Sequence, residues 1–119
     1  MSQAWNHQQR CERLGRFFSA LANATRMRIF CSIQDGPRQV SQIAVQTGIT
    51  LPNASQHLRV MRQVGVVKTR RAGRNVYYYI ADKRFIQAAN LAADALEIAT
   101  SQAAQCTAVR IKKRSAITA

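Results

Sequence analysis

The sequence is poor in acidic residues, in histidine and in long apolar segments. Its 119 residues contain five Asp and Glu and two His, so carboxylates for acid–base catalysis are scarce. The longest uninterrupted apolar run, residues 76–81, is far shorter than a membrane span. The first ten residues are polar and lack the apolar core of a secretory signal. We therefore expect a cytoplasmic protein with no membrane partner.

Bulky apolar side chains are also few. Alanine supplies 19 of the 56 hydrophobic residues, while Leu, Ile, Val and Phe together number 27. A domain of this size buries only about two-thirds of the surface of its unfolded chain. The length of the chain predicts a single domain, and the small core favours a partner subunit that would cover apolar surface.

Positive charge is what the sequence has in excess. Eighteen Lys and Arg give a net charge of +13, and no acidic residue occurs between Gly36 and Ala81. That stretch contains seven cations, namely Arg38, Arg59, Arg62, Lys68, Arg70, Arg71 and Arg74. This distribution is typical of proteins that bind polyanions. No nucleophile motif and no glycine-rich phosphate loop occurs, so we expect no enzymatic activity.

Helical spacing of apolar residues predicts four helices in the first half of the chain. The first three cover about residues 8–21, 24–34 and 41–46, with Asn23 capping the second and Gly48 ending the third. Leu14, Phe17, Phe18 and Leu21 form the apolar face of the first helix, and Ile43, Ala44 and, as a further candidate, Val45 form that of the third.

The fourth helix is predicted to begin after a cap at Thr50 and to have two contrasting faces. Ala54, Leu58 and Met61 form its buried stripe, followed by Val64 or Gly65. The opposite face displays polar and cationic side chains: Asn53, Gln56, Arg59 and Arg62. This face is suited to contact with a polar, anionic partner.

After Gly65 the spacing of apolar residues changes to that of β-strands. Residues 66–71 and 75–80 read as two strands of a hairpin joined by residues 72–74, with a cationic tip. Asp82 then caps an alanine-rich helix to about residue 104, in which Ala88, Ala92, Ala95 and Ala99 form a small-residue stripe. We expect one domain over residues 1–106 and a basic tail over 107–119.

These elements predict a mainly α fold with a small β-hairpin wing, the winged helix-turn-helix, in the order α-α-α-α-β-β-α. The fourth helix would enter the major groove of DNA, where side-chain amides pair with base edges. The hairpin arginines would meet the adjacent backbone or minor groove. The predicted DNA contacts are Thr50, Asn53, Ser55, Gln56, Arg59, Arg62, Arg70, Arg71 and Arg74.

Three stretches of the chain carry a family resemblance: residues 18–29, residues 50–62 with their Ser-Gln-His-Leu core, and residues 65–79. The chain resembles bacterial winged-helix repressors of the ArsR/SmtB type over about residues 14–100. The resemblance implies a homodimer built on the first and last helices, a symmetric operator, and release of DNA when an inducer binds. We expect Leu14 and the stripe Ala88, Ala92, Ala95 and Ala99 to form the dimer contact.

The metal sites of this family are not matched by the sequence. Its arsenic-type site places a Cys-x-Cys pair at the start of the third helix, where residues 39–43 contain no cysteine. Its zinc-type site needs Asp and His on the last helix, and residues 82–104 contain no histidine. We therefore expect an inducer that acts on sulfur.

Three cysteines, Cys11, Cys31 and Cys106, are the candidate sensor thiols. Cys31 falls where thiol-sensing members of the family carry one of two reactive cysteines, but their second cysteine would map near Glu97. In a dimer, Cys11 and Cys106 would be neighbours close to arginine side chains, which promote thiolate reactivity. Two chemistries fit this pair: a disulfide or persulfide bridge, and capture of trivalent arsenic. No other cofactor is predicted.

Other interpretations of the same residues remain open. Cys31 could be a small core residue, and His57 could be packed or bonded to backbone instead of reading bases. The main alternative function is a nonspecific or constitutive DNA-binding architectural protein with structural cysteines and no inducer. A small enzyme with a catalytic cysteine is the weakest of the alternatives.

Overall fold

The computed structural model describes residues 6–97, which form five helices and one antiparallel hairpin. The helices are α1 (His7–Leu21), α2 (Ala24–Ile33), α3 (Val40–Thr47), α4 (Leu51–Gln63) and α5 (Lys83–Ala95), and strands β1 (Val67–Ala72) and β2 (Asn75–Ile80) lie between α4 and α5. This order confirms the predicted winged helix-turn-helix. Within the described residues no helix has the length and apolar character needed to span a membrane. The predicted boundary between domain and tail lies outside them.

Short polar side chains begin the helices, as predicted. The side chain of Asn23 accepts a hydrogen bond from the backbone N–H of Arg26 at 3.0 Å. Thr50 accepts from the N–H of Asn53 at 3.3 Å, and Asp82 accepts from the N–H of Arg84 at 2.9 Å. Each cap satisfies a backbone donor that the first helical turn leaves without an intrahelical acceptor.

The core lies where α2, α3, α4 and the start of β1 meet. Its fully buried side chains are Ile29, Phe30, Ile33, Ile43, Leu58, Met61, Val66 and Val67. Ile43 and Ala44 are buried as predicted, but Val45 is 83% exposed. The prediction for Val45 was wrong because the single inward stripe of this eight-residue helix is occupied by its two neighbours.

A third segment extends the hairpin on one side. The backbone N–H of Arg38 donates to the carbonyl of Tyr78 at 3.0 Å, and the N–H of Tyr78 donates back at 2.8 Å. The Arg38 guanidinium also donates from Nε to the carbonyl of Ser32 at 2.8 Å. The connection between α2 and α3 therefore anchors the wing to the helices.

The boundaries of two predicted elements need correction. Ala72 pairs with Asn75, so the hairpin turn contains only Gly73 and Arg74, and β1 runs one residue further than predicted. Helix α5 was predicted to continue to residue 104, but it ends at Ala95, and Glu97 has a positive φ of 56°. The α5 side chains that pack against the core, Phe85, Ile86 and Ala89, all lie in the first half of the helix. Alanine propensity alone does not extend the helix beyond Ala95, because packing supplies most helix stability.

Candidate nucleic-acid interface

Helix α4 is held by one face so that the other is presented to solvent. Ala54, Leu58 and Met61 follow each other at helical spacing and are fully buried. The Thr50 hydroxyl caps the helix, which gives this residue a structural role besides its predicted DNA contact. Pro52 lies in the first turn, where a missing N–H does no harm.

The exposed face of α4 carries a row of long polar side chains. Gln56, Arg59 and Gln63 are spaced three and four residues apart, so they share the face opposite the buried stripe, and all three are exposed. Asn53, Ser55 and Arg62 are exposed and lie toward the flanks of this row. Gln63 was missed in the sequence analysis, although its position seven residues after Gln56 would have indicated it. We call Gln56, Arg59 and Gln63 the reading row.

The wing brings further cations to the surface. Arg74 is exposed in the two-residue turn, where Gly73 adopts a φ of 64°. Arg70 pairs with Tyr77, and Arg71 pairs with Val76. Successive residues of a strand point to opposite faces, so Arg70 and Arg71 do not present their charges to the same side of the hairpin.

The predicted DNA contacts are all accessible. The structure places each of the nine predicted residues, from Thr50 to Arg74, at an exposed position. Within residues 6–97, no carboxylate forms an ion pair with Arg59, Arg62, Arg70, Arg71 or Arg74, whereas Arg84 pairs with Asp82 at 2.7 Å. The positive charge of the reading row and the wing is therefore available to an anionic partner.

His57 lies on α4 beside the reading row but does not belong to it. The ring is half-buried, and its Nδ1 lies 3.3 Å from Nη1 of Arg26 on α2. Burial, and to a smaller extent the positive charge of Arg26, lower the pKa of His57 below its ordinary value. This contact favours the packed interpretation of His57 over base reading.

A second surface is apolar and lies on α1 and α5. The rings of Phe17 and Phe85 stack with centroids 5.0 Å apart and join the two helices. Leu14 and Phe18 on α1, Leu91 on α5 and Leu96 directly after α5 are 43–71% exposed. Ala88, Ala92 and Ala95 of the predicted dimer stripe are exposed as well, while Ala99 lies outside the described residues. We call this surface the α1/α5 face.

The candidate thiols occupy different environments. Cys11 is exposed on α1, with its Sγ 3.7 Å from Nε2 of His7 one turn earlier. Cys31 is half-buried on α2. Cys106 lies outside the described residues, and with it the proposed neighbourhood of Cys11 and Cys106. In the part of the chain that is described, no group of three or more metal-ligating side chains is found.

Known proteins match this chain over the helix-turn-helix. The model of the arsR family of bacterial regulatory proteins matches residues 23–69. The HTH-type transcriptional regulator KmtR of Mycobacterium tuberculosis is 36% identical over 70 residues, which cover 59% of this chain and 54% of that protein. The transcriptional repressor SmtB homolog of Synechocystis sp. is 34% identical over 86 residues, which cover 72% of this chain and 65% of that protein. The chain thus spans less than two-thirds of the length of these relatives.

Solved structures match over a larger share of the chain. The crystal structure of a possible transcriptional regulatory protein from Mycobacterium bovis has a TM-score of 0.63 and 34% identity, and the match covers 71% of this chain and 94% of that one. The solution structure of a homodimeric winged helix-turn-helix DNA-binding domain from the same organism has a TM-score of 0.74 and 28% identity. This match covers 86% of this chain and 94% of that one. The fold and its surface define a winged helix-turn-helix protein. The chain belongs to the ArsR family of bacterial regulatory proteins.

Proposed function

We propose that the protein is a sequence-specific, double-stranded-DNA-binding transcriptional repressor that acts as a cytoplasmic homodimer and has no enzymatic activity. The observation that carries this proposal is the reading row, which is exposed on a capped helix whose other face is buried. Glutamine amides pair with adenine edges, and arginine pairs with guanine or with phosphate. The cationic wing would bind the backbone beside it.

The relatives support a regulatory role. KmtR is named a transcriptional regulator, and the Synechocystis protein is named a transcriptional repressor. The Mycobacterium bovis domain is described as homodimeric and DNA-binding. A repressor of this kind needs sequence preference, which charge alone does not provide. The reading row therefore favours a specific operator over the architectural alternative.

The α1/α5 face supports the proposed homodimer. Four large apolar side chains and three alanines are exposed on two adjoining helices, which is more than a monomer usually leaves to solvent in one place. Small residues allow two helices to approach closely. A two-fold dimer would present two reading rows to half-sites about one helical turn of DNA apart, which accounts for a symmetric operator.

For the inducer we propose a thiol-directed signal, with Cys11 as the first candidate and Cys31 and Cys106 as the others. Cys11 is accessible on a helix of the proposed dimer contact, and its Sγ lies 3.7 Å from Nε2 of His7. Arsenite would exchange a hydroxyl group for each cysteine sulfur and release one water per As–S bond. Alternatively, two thiols would form a disulfide, with peroxide taking up their two electrons and two protons.

The proposed DNA function is tested by selecting duplexes from a random library with the wild-type chain. Gln56→Ala should cost about 1–3 kcal/mol on a selected duplex and little on random DNA. Arg74→Ala should weaken binding to both equally and reduce the slope of log K against log salt by roughly 0.9 for each subunit of the dimer. If no duplex were enriched, the architectural alternative would replace the operator-binding proposal. If a duplex were enriched but Gln56→Ala weakened binding equally on both DNAs, Gln56 would be removed from base readout.

The thiol signal is tested separately with single Cys→Ser variants bound to the selected duplex. Arsenite, persulfide and peroxide are added, and release of DNA is measured together with the intact mass of the protein. We expect Cys11→Ser to lose the response that wild type shows. Normal release by all three variants, or no response of wild type, would overturn the thiol-directed signal.

A further inference from the structure

Arg26 is a half-buried cation on α2 that contacts the helices on both sides of it. Its Nε donates a hydrogen bond to the carbonyl of Ala20 in the last turn of α1. Its Nη1 lies 3.3 Å from Nδ1 of His57 in the middle of α4. The backbone of Arg26 is itself fixed, because its N–H donates to the Asn23 cap. One guanidinium thus joins α1 to α4.

The contact with His57 sets the protonation state of the ring. Arginine only donates, so Nδ1 must accept, and the ring must be neutral with its proton on Nε2. The pKa of His57 is lowered by burial and then by Arg26, the charged group that faces the ring. Protonation would place two positive charges in contact and open the link between the helices.

We propose that Arg26, acting through neutral His57, is a positioning residue that fixes the orientation of the recognition helix α4 relative to α1. His57 directly follows Gln56 and precedes Arg59 by two residues, so a rotation of α4 that breaks the contact also turns the reading row. Helix α1 carries Leu14 and Phe18 of the α1/α5 face. A change at the dimer contact would reach the reading row through this link.

This inference rests on the proposed DNA-binding function, and it differs from a purely structural role in what it predicts. If the link only stabilised the fold, its loss would lower the free energy of unfolding and leave specificity unchanged. If it positions the reading row, its loss lowers the ratio of affinities for a selected and a random duplex. Removing the charge of Arg26 affects binding to both duplexes through the backbone, so that effect cancels in the ratio.

The first experiment needs no DNA. The titration of the His57 ring is followed by NMR in wild type, in Arg26→Gln, and in Arg28→Gln as a matched control on the exposed side of α2. We expect the pKa of His57 to rise in Arg26→Gln and to stay unchanged in Arg28→Gln. Equal pKa values in wild type and Arg26→Gln would show that the two side chains do not interact and would overturn the inference.

The second experiment measures the ratio of affinities for a duplex selected by wild type and a random duplex, at pH 7.5 and at a pH below the His57 pKa that the first experiment gives. Arg26→Gln should lower the ratio about tenfold at pH 7.5, the scale of one hydrogen bond to a charged group. The wild-type ratio should fall at the lower pH, where the His57 ring is protonated. His57→Asn keeps an acceptor near the position of Nδ1 and does not titrate, so its ratio should be the same at both pH values.

The outcomes separate this inference from the proposed function. If no duplex is enriched by wild type, the proposed function fails and the positioning role fails with it. If a duplex is enriched, but the ratio is insensitive to Arg26→Gln and to pH, only the positioning role is overturned. Should Arg26→Gln unfold, the comparison of wild type with His57→Asn across pH still decides the question.

Discussion

Gln63 extends the reading row by one turn beyond Arg59. It is exposed and lies two turns after Gln56 on the same face of α4. A second glutamine on this face would read a further base edge, and a well-formed bidentate pair discriminates by about 1–3 kcal/mol. We therefore expect Gln63→Ala to weaken binding to a selected duplex and to leave binding to random DNA nearly unchanged.

The matched control for Gln63 is Gln87→Ala, which removes the same side chain from an exposed position on α5. The affinities of both variants for the selected and the random duplex are measured by fluorescence anisotropy. A loss on random DNA as large as that on the selected duplex would make Gln63 a backbone contact.

Asp82 provides the pH dependence that is easiest to check. Hydrogen bonds from the side chain and the backbone of Arg84 lower the pKa of Asp82 to about 2. The folded state therefore holds this carboxylate ionised at a pH where the unfolded chain, with a pKa near 3.9, binds a proton. Its stabilising contribution is complete above pH 4 and is lost as the pH falls through about 2.

The measurement for Asp82 is urea unfolding between pH 5 and pH 2, with Asp82→Asn as the comparison. Asparagine still caps the helix but does not titrate. The difference in unfolding free energy between wild type and Asp82→Asn should shrink as the pH falls through this range. A constant difference would show that the Arg84 contact does not hold the carboxylate in solution.

Single residues also show where reasoning from sequence succeeded. The caps Asn23, Thr50 and Asp82 could be predicted because a short polar side chain before an apolar-periodic segment accepts a hydrogen bond from the first turn of the helix that follows. The partner of His57 could not be predicted, because Arg26 is 31 residues away in sequence and only the packing of α2 on α4 brings them together. Local sequence patterns identify helix caps, but they do not identify contacts between residues that are distant in sequence.

At the scale of elements, two glycines illustrate opposite backbone requirements. Gly48 ends α3 with a φ of 72°, while Gly15 lies within α1, and a Cβ at either position would meet no atom within 4 Å. Steric contacts therefore do not decide the outcome, and backbone conformation does. Gly48→Ala should destabilise by about 1–2 kcal/mol, whereas Gly15→Ala should stabilise by about 0.5–1 kcal/mol.

Chemical denaturation of the two glycine variants tests this pair directly, since each serves as the other's control. If Gly48→Ala did not destabilise the protein, the turn between α3 and α4 would not have the left-handed conformation described. Destabilisation by Gly48→Ala should also weaken DNA binding, because this turn sets the angle between α3 and α4.

The elements themselves were largely predictable, and their ends less so. The change of apolar period after Gly65 identified the hairpin, and the bounds of its first strand differ from the prediction by a single residue. The end of α5 at Ala95 was missed because propensity and patterning describe a helix in isolation. The extra pairing of Arg38 with Tyr78 was missed because nothing in a two-residue bridge distinguishes it from a loop.

At the scale of the whole molecule, the core is small and several of the large apolar side chains lie on the α1/α5 face instead of inside the protomer. The sequence has few bulky apolar residues, and the structure leaves Phe18 61% and Leu91 71% exposed. A monomer would expose these side chains to water at a cost of roughly 25 cal/mol per Å². Covering them with a second copy relieves this cost and doubles the number of reading rows.

Ala92 lies within the α1/α5 face between Leu91 and Ala95, and it is exposed in the single chain. Ala92→Glu should therefore leave the protomer folded, since glutamate is a good helix former. In a dimer the new carboxylate would be buried without a partner, which is strongly unfavourable. We expect Ala92→Glu to sediment as a monomer. Because two linked half-sites gain about 10²-fold or more in avidity, we also expect operator affinity to fall by that order.

Gln87→Glu adds the same charge at an exposed position of the same helix and should remain dimeric. If Ala92→Glu also sedimented as a dimer, the subunits would have to meet through a surface other than the α1/α5 face.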